Sequence, residues 1–393
     1  MWLSHVCRRH GVRRPEELAL RDARRDLTWW ELEREVADIA AFLAGRVCTG
    51  GRVAVLSGSR VEVLETYLAC AAAGVVVVPI DPSFTDHEIG YVVESVEPTL
   101  TLADAAARDR LRRSQPDLEV APIEFLSELP LAGRPLPVGG PLEAPFAILF
   151  TSRTAGRPNG VVVDQRSVKQ GAVAWLADVG PAPGTAFLNA CPLLHGSVLI
   201  ALSYLAAGAT VCVLDAFSAA GCLAALQRWK VEHTFLVPAM VATLLASAEL
   251  RSADLDALRL VLHGAPPMPP ALAGAATEAL GADLQTIFGV TEAGGPVVSL
   301  GPRDRPLAAP VRGGVCVGRP MLGVDLRVVG PDGTPLGAGE VGRLHLSGDG
   351  LMRGYWKNPE ATAEVLHDGW LDTRDLACVG LDGYVWCWTG PVT

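Results

Sequence analysis

Positive charge is scarce in this sequence. Its 33 Lys and Arg face 43 Asp and Glu over 393 residues, a formal net charge of -10, and no run of basic residues makes a stripe able to follow a polyphosphate backbone. Nucleic acid is therefore a poor partner. Paired cysteines are missing as well: nine thiols, an odd number, are scattered singly with no CxxC pair. Such usage predicts reduced, mostly buried thiols in a cytoplasmic protein. The N-terminal MWLSHVCRRHGVRRPEE has no apolar core behind its basic residues, so it is not a secretory signal. One apolar stretch, Cys191 to Leu214, lacks Lys, Arg, Asp and Glu altogether. A membrane span needs about 20 apolar residues. Here Gly208 and the β-branched ATVCVL that follows divide the stretch into a buried helix and a buried strand, and no membrane segment is expected.

What is present is apolar and turn-rich. Hydrophobic residues make up 50% and charged residues 19%, with 41 Gly and 29 Pro, the composition of a compact α/β protein. The length suffices for two or three domains, or for one large domain whose subdomains share buried faces. Helical and strand periods alternate. LTWWELEREVADIAAFLAG has helical spacing after Thr28, an N-cap with Glu31 three residues on, and stops at Gly45. RVAVLSG, VEVLETYLACAAAG and VVVVPIDP then read as strand, helix and strand. Apolar runs without polar alternation are those of parallel strands covered on both faces. The Pro- and Gly-rich stretch 132–145 reads as a connection between subdomains, and from about Gly318 short alternating runs with turns predict hairpins up to residue 393.

Two phosphate-loop patterns fail on context. GAGEVG, Gly337 to Gly342, fits GxGxxG but runs into RLHLSG, a strand, where dinucleotide binding needs a helix N-terminus. TSRTAGRPNG, Thr151 to Gly160, lacks the Gly-Lys-Ser/Thr of a P-loop. Taken alone, this loop has two readings. Its hydroxyls and open backbone N–H groups can wrap phosphate oxygens, or they can serve only the local hydrogen bonds of a hairpin turn.

The loop has company. PLLHGS around His195, LHGAPPMPPAL around Gly264, IFGVTEAGG around Glu292 and a long run from Gly339 to Trp386, including GYWKNPEAT and DGWLDTRD, follow it in order. This ordered set resembles the large N-terminal domain of the adenylate-forming superfamily, which includes acyl-CoA synthetases, adenylation domains of nonribosomal peptide synthetases, and luciferases. The resemblance covers nearly the whole chain. It implies an α/β fold of two flavodoxin-like β-sheets sandwiched by helices plus a smaller distorted β-barrel subdomain, and activation of a carboxylic acid by ATP with Mg2+. By the same resemblance Thr151, Ser152 and Thr154 cradle phosphates, with Arg153 beside them. Phe288 and Gly289, with Gly264, Ala265 and Pro266, line the adenine site. Thr291 touches the α-phosphate, Glu292 holds Mg2+, Asp375 accepts from the ribose hydroxyls, and His195 flanks the acid. The acid is expected to lack an α-amine, because HGSVLIALS offers no Asp to hold one. The acceptor is the thiol of CoA or of a carrier protein.

Charge departs from the family pattern at several points. Arg153 stands for a usual Gly, Asn159 for a usual Lys, and Arg374 for the Gly of TGD; Pro391 stands where a hinge Arg is usual. The family's small C-terminal domain, with its adenylation lysine, is absent from the 393 residues. Three accounts follow: a trimmed longer enzyme; a short one in which Arg153, Arg374 or another protein replaces the lysine; or a module that binds nucleotide or acyl adenylate without activating anything.

Overall fold

The computed structural model describes residues 2–137, 141–151, 158–304, 306 and 313–388. Two sheets organise them. The smaller has seven strands, in the spatial order Gly354–Tyr355, Asn159–Asp164, Pro145–Thr151, Val76–Ile80, Arg52–Leu56, Leu100–Ala103 and Val120–Pro122. Its last five are parallel neighbours, whereas Pro145–Thr151 and Asn159–Asp164 form an antiparallel hairpin. The larger sheet is parallel through Leu18–Arg21, Thr210–Val213, Ala186–Asn189, His233–Leu236, Leu260–His263 and Asp283–Val290. It turns antiparallel at Gly295–Leu300 and continues through Val315–Pro320 into strands that reach Trp388. This is the α/β architecture expected, with the β-rich part joined through the pair Val298–Pro320.

The buried helices explain why the apolar runs lack polar relief. Helix Val61–Ala73 is buried at all but its last residue and ends at Gly74, φ 69°. Helix His195–Ala207 is buried from Ser197 onward and ends at Gly208, φ 81°, before strand Thr210–Val213. Cys191–Leu214 is thus a core helix and strand, and among the described residues no helix is long and apolar enough to cross a membrane. Helix Trp29–Ala44 begins with the expected reciprocal cap. The Glu31 N–H donates to Thr28 Oγ1 at 3.2 Å, and the Thr28 N–H donates to Glu31 Oε2 at 2.8 Å, an arrangement worth about 1 kcal/mol. GAGEVG is a turn leading into strand Gly342–Gly348, with no helix after it. All nine cysteines are free thiols, and seven of them are buried.

Candidate active site

The site lies where strands of both sheets end. Strand Pro145–Thr151 delivers Thr151, which pairs across its hairpin with Asn159, so these two residues face each other at the base of the glycine-rich loop. Ser152, Arg153 and Thr154, three of the predicted phosphate contacts, lie outside the described residues, as does Pro391. The C-terminal end of Asp283–Val290 brings Phe288 and Gly289, and a single 3-10 turn, Thr291–Ala293, follows. Leu260–His263 ends beside it at Gly264. Backbone packing here is tight enough to demand glycine: a Cβ on Gly264 would lie 2.1 Å from the Ile287 carbonyl oxygen, and one on Gly289 would lie 2.1 Å from that of Gly295. No side chain fits either contact.

Three cavities open around this point, all lined by Gly289 and Val290. One of about 270 Å³ is walled by Gly264, Ala265, Pro266, Phe288, Trp388 and Asp375. A cleft of about 960 Å³ carries Thr151, Asn159, Thr291, Glu292, Tyr355, Glu364, Asp372, Arg374 and Asp375. An apolar pocket of about 300 Å³ is lined by Thr151, His195, Gly196, Ile200, Phe235, Phe288, Thr291 and Pro296. Every predicted site residue that is described borders at least one of the three. Asp375 borders both the first cavity and the cleft, whereas Thr151 and Thr291 border both the cleft and the apolar pocket.

Local hydrogen bonds orient these groups. Tyr355 Oη donates to Glu292 Oε1 at 2.9 Å, and the Met352 N–H donates to the Glu292 carbonyl at 2.7 Å. One carboxylate oxygen of Glu292 is thereby fixed while the other stays available to the cleft. His195, at φ 44°, places Nε2 at 2.6 Å from the Phe150 carbonyl. A carbonyl only accepts, so Nε2 is the donor of this bond. The Asp375 N–H donates to Thr373 Oγ1 at 3.1 Å. Burial pushes the Asp375 carboxyl above the usual aspartate range; the Thr373 hydroxyl opposes that, and neighbouring Glu292 and Asp372 add to it. At the end of strand Leu260–His263, burial pulls His263 down to about 4, and its Nε2 lies 3.2 Å from Thr286 Oγ1.

Among the described residues no group of three or more His, Cys, Asp or Glu forms a metal cage. A lone carboxylate such as Glu292 is a hard oxygen donor of the kind that can share a Mg2+ ion with phosphates and water. Sequence reasoning named Glu292 but not Tyr355, 63 residues on, which holds it. It also passed over Ile200, Phe235, Glu364, Asp372 and Trp388. Tyr355 sits inside the GYWKNPEAT motif, so a signal existed. For Ile200 and Phe235 none did, since any apolar residue on a buried element looks alike.

The AMP-binding enzyme family matches residues 7–356. The chain belongs to that family. It is an adenylate-forming acid ligase, as its motif order implied. A feruloyl-CoA synthase from Amycolatopsis sp is 36% identical over 382 residues, covering 94% of this chain and 74% of the relative. A fatty acid–[acyl-carrier-protein] ligase, ScoC, from Streptomyces coeruleorubidus is 30% identical over 391 residues, covering 96% and 74%. Among solved structures, a putative long-chain-fatty-acid CoA ligase from Rhodopseudomonas palustris superposes with a TM-score of 0.87 at 25% identity, covering 98% of each chain. The AMP-binding chain thus spans about three quarters of the length of these curated relatives.

Proposed function

We propose that the protein joins an amine-free carboxylic acid, aryl or acyl, to AMP and passes the acyl group to a thiol. The observation that carries this is the convergence of three cavities on Gly289 and Val290. One is flat-walled and apolar for a base, one is polar and large enough for phosphates, and one is apolar for an acid. A carboxylate oxygen attacks the α-phosphorus of ATP and pyrophosphate leaves; the thiol sulfur then attacks the acyl carbon and AMP leaves. The acid is a poor electrophile until the first step replaces its charge with a leaving group.

In this reading Phe288, with Gly264, Ala265, Pro266 and Trp388, holds adenine, and Asp375 accepts from the ribose hydroxyls. Thr291 and Thr151 donate to phosphate at the mouth of the apolar pocket, with Ser152, Arg153 and Thr154 of the loop on the outer phosphates. His195 presents Nδ1 toward the acid end. Ile200, Phe235 and Pro296 give the acid an uncharged wall, a surface suited to a ring or chain and unsuited to an ammonium group. Glu292 would hold Mg2+, which when bound neutralises phosphate charge as pyrophosphate departs. Most of the catalysis asked of the protein is positioning and charge placement.

CoA is the acceptor we favour, from the 36% identity to a CoA ligase, with an acyl carrier protein as the other candidate thiol. We take residues 1–393 as one AMP-binding unit in which the β-rich part from about residue 318 is a subdomain; the segment 132–145, expected to connect subdomains, runs between strands Val120–Pro122 and Pro145–Thr151 of the same seven-stranded sheet. Antiparallel pairing from strand Gly295–Leu300 onward, through Val315–Pro320 to the last strands, is in keeping with a β-rich C-terminal part. A cytoplasmic setting agrees with nine free thiols.

Isotope exchange between pyrophosphate and ATP tests the reading, because adenylation is reversible. A panel of aryl, alkyl and amino acids should support exchange with aryl or alkyl members and not with amino acids. Glu292→Ala should abolish it. Nucleotide binding with no exchange from any acid would replace the ligase reading by that of a binding module.

A further inference from the structure

The cleft of about 960 Å³ is an odd place for a polyphosphate. Its described lining carries four carboxylates, Glu292, Glu364, Asp372 and Asp375, and a single base, Arg374. Asp372 has an external partner, since Arg343 reaches it at 2.8 Å from outside the lining. On the opposite wall Thr151 and Asn159 are neutral. Among the described lining residues, Arg374 is the one side chain whose charge favours an anion entering this space.

Arg374 is also held in a conformation that arginine does not choose. Its φ is 66°, the left-handed region where glycine is at ease and a Cβ is crowded. The turn is fastened from both sides: the Arg374 N–H donates to Asp372 Oδ1 at 2.9 Å, and the Asp375 N–H donates to Thr373 Oγ1 at 3.1 Å. Strand Trp370–Val379 therefore projects the guanidinium over the cleft, where Nη2 meets Glu364 Oε2 at 2.8 Å on helix Pro359–Val365. That pair is open to solvent, with side chains 46% and 62% exposed, so it is weak and its opening costs little.

Position decides which part of a nucleotide Arg374 can reach. Asp375 borders both the 270 Å³ cavity and the cleft, whereas Arg374 borders only the cleft. A nucleoside seated with its ribose at Asp375 directs its phosphates to the side where Arg374 waits. We infer that Arg374 is a phosphate-binding residue of this chain, paired with Glu364 when no nucleotide is bound and transferred to the nucleotide when it binds. The inference rests on the nucleotide-binding reading given above. Guanidinium suits the exchange, because its planar fork pairs with carboxylate and with phosphate in the same two-point geometry. A left-handed arginine is then explained: the turn sets the direction of the side chain, and the charge it supplies outweighs the strain.

The competing role is a strap between the strand and the helix, and calorimetry on the full chain separates the two. Adenosine, AMP and ATP, each with Mg2+, are titrated at low and moderate salt into wild type, Arg374→Gly, Arg374→Lys and Glu364→Gln. Arg374→Gly should bind adenosine as wild type does and bind AMP and ATP about tenfold more weakly, with a shallower dependence on salt. Arg374→Lys should recover part of that loss. Glu364→Gln releases the guanidinium, so it should bind ATP a few-fold more tightly, an increase that no damaged fold can imitate. Urea unfolding of Arg374→Gly should show no loss of stability, because glycine relieves the strained turn. A strap predicts the reverse, lower stability in both variants with ATP affinity unchanged, and that result overturns the inference. Equal weakening of adenosine and ATP also overturns it, since the defect would then lie outside the phosphates. Wild type that binds none of the three probes sinks the nucleotide reading itself, whereas wild-type binding matched by Arg374→Gly sinks only the role of Arg374.

Discussion

Replacing Asp375 by Asn should weaken nucleotide binding while strengthening the empty fold, two effects of opposite sign from one atom change. The carboxylate has two oxygens for the two ribose hydroxyls; the amide keeps one acceptor and turns a donor toward the other hydroxyl. Hydrogen bonds to a charged group are worth about 1.5–3 kcal/mol each. Loss of one is thus about 2 kcal/mol, or roughly a thirtyfold rise in Kd for AMP. Without nucleotide the same charge is a liability: burial raises the Asp375 carboxyl above its ordinary range, and Glu292 and Asp372 stand near it. A group of this kind contributes stability below its unfolded pKa, and that contribution is lost as pH rises through the raised folded value. At neutral pH the aspartate therefore detracts from stability, and Asn removes the penalty without changing shape. Calorimetric titration with AMP and urea unfolding without ligand measure the two halves. The reasoning is refuted if AMP binds both proteins alike, or if the Asn variant without ligand is the less stable one.

Tyr355→Phe removes the hydroxyl that fixes Glu292 Oε1 and leaves the ring; pyrophosphate exchange should fall about tenfold and need more Mg2+ for half-maximal rate, as expected for one lost hydrogen bond to a charged group. Gly264→Ala sets a Cβ 2.1 Å from the Ile287 carbonyl, backbone against backbone, and should destabilise the fold by about 1–3 kcal/mol in urea while abolishing adenosine binding. His263 is buried and held neutral down to about 4, so its contribution is complete above 6.5 and falls as the unfolded chain takes up a proton, by roughly 2 kcal/mol at pH 5. Unfolding free energies measured from pH 7.5 to 5 should show this slope in wild type and lack it in His263→Gln; equal slopes would disprove it.

How far the sequence could be read depended on whether a feature is fixed locally. The Thr28 and Glu31 cap was legible because both partners lie within one turn, and the break at Gly208 was legible because a left-handed residue before β-branched ones can hardly do anything else. Gly264, Phe288, Thr291, Glu292, His195 and Asp375 were named through motif order, and they border cavities that share Gly289 and Val290; all but Asp375, which lies within strand Trp370–Val379, sit at or near the end of a strand or the start of a helix. What escaped depends on distant pairing. Glu292 is held by Tyr355, and Asn159 takes its place opposite Thr151 with Asn358 Nδ2 at 3.5 Å behind it; no spacing rule reports such contacts. Phe235 and Ile200 escaped for another reason: a pocket wall needs only volume and apolarity, so many side chains could serve and none carries a signature. Arg374 lies between these cases. Its identity showed that a usual glycine was gone, but sequence alone left two outcomes, a turn rebuilt to suit arginine or an arginine bent to suit the turn. The φ of 66° shows the second. The Arg374 and Asp375 N–H groups, donating to Asp372 Oδ1 and Thr373 Oγ1, hold the turn, and a side chain forced to follow that backbone extends over a cleft whose other described charged residues are all acidic.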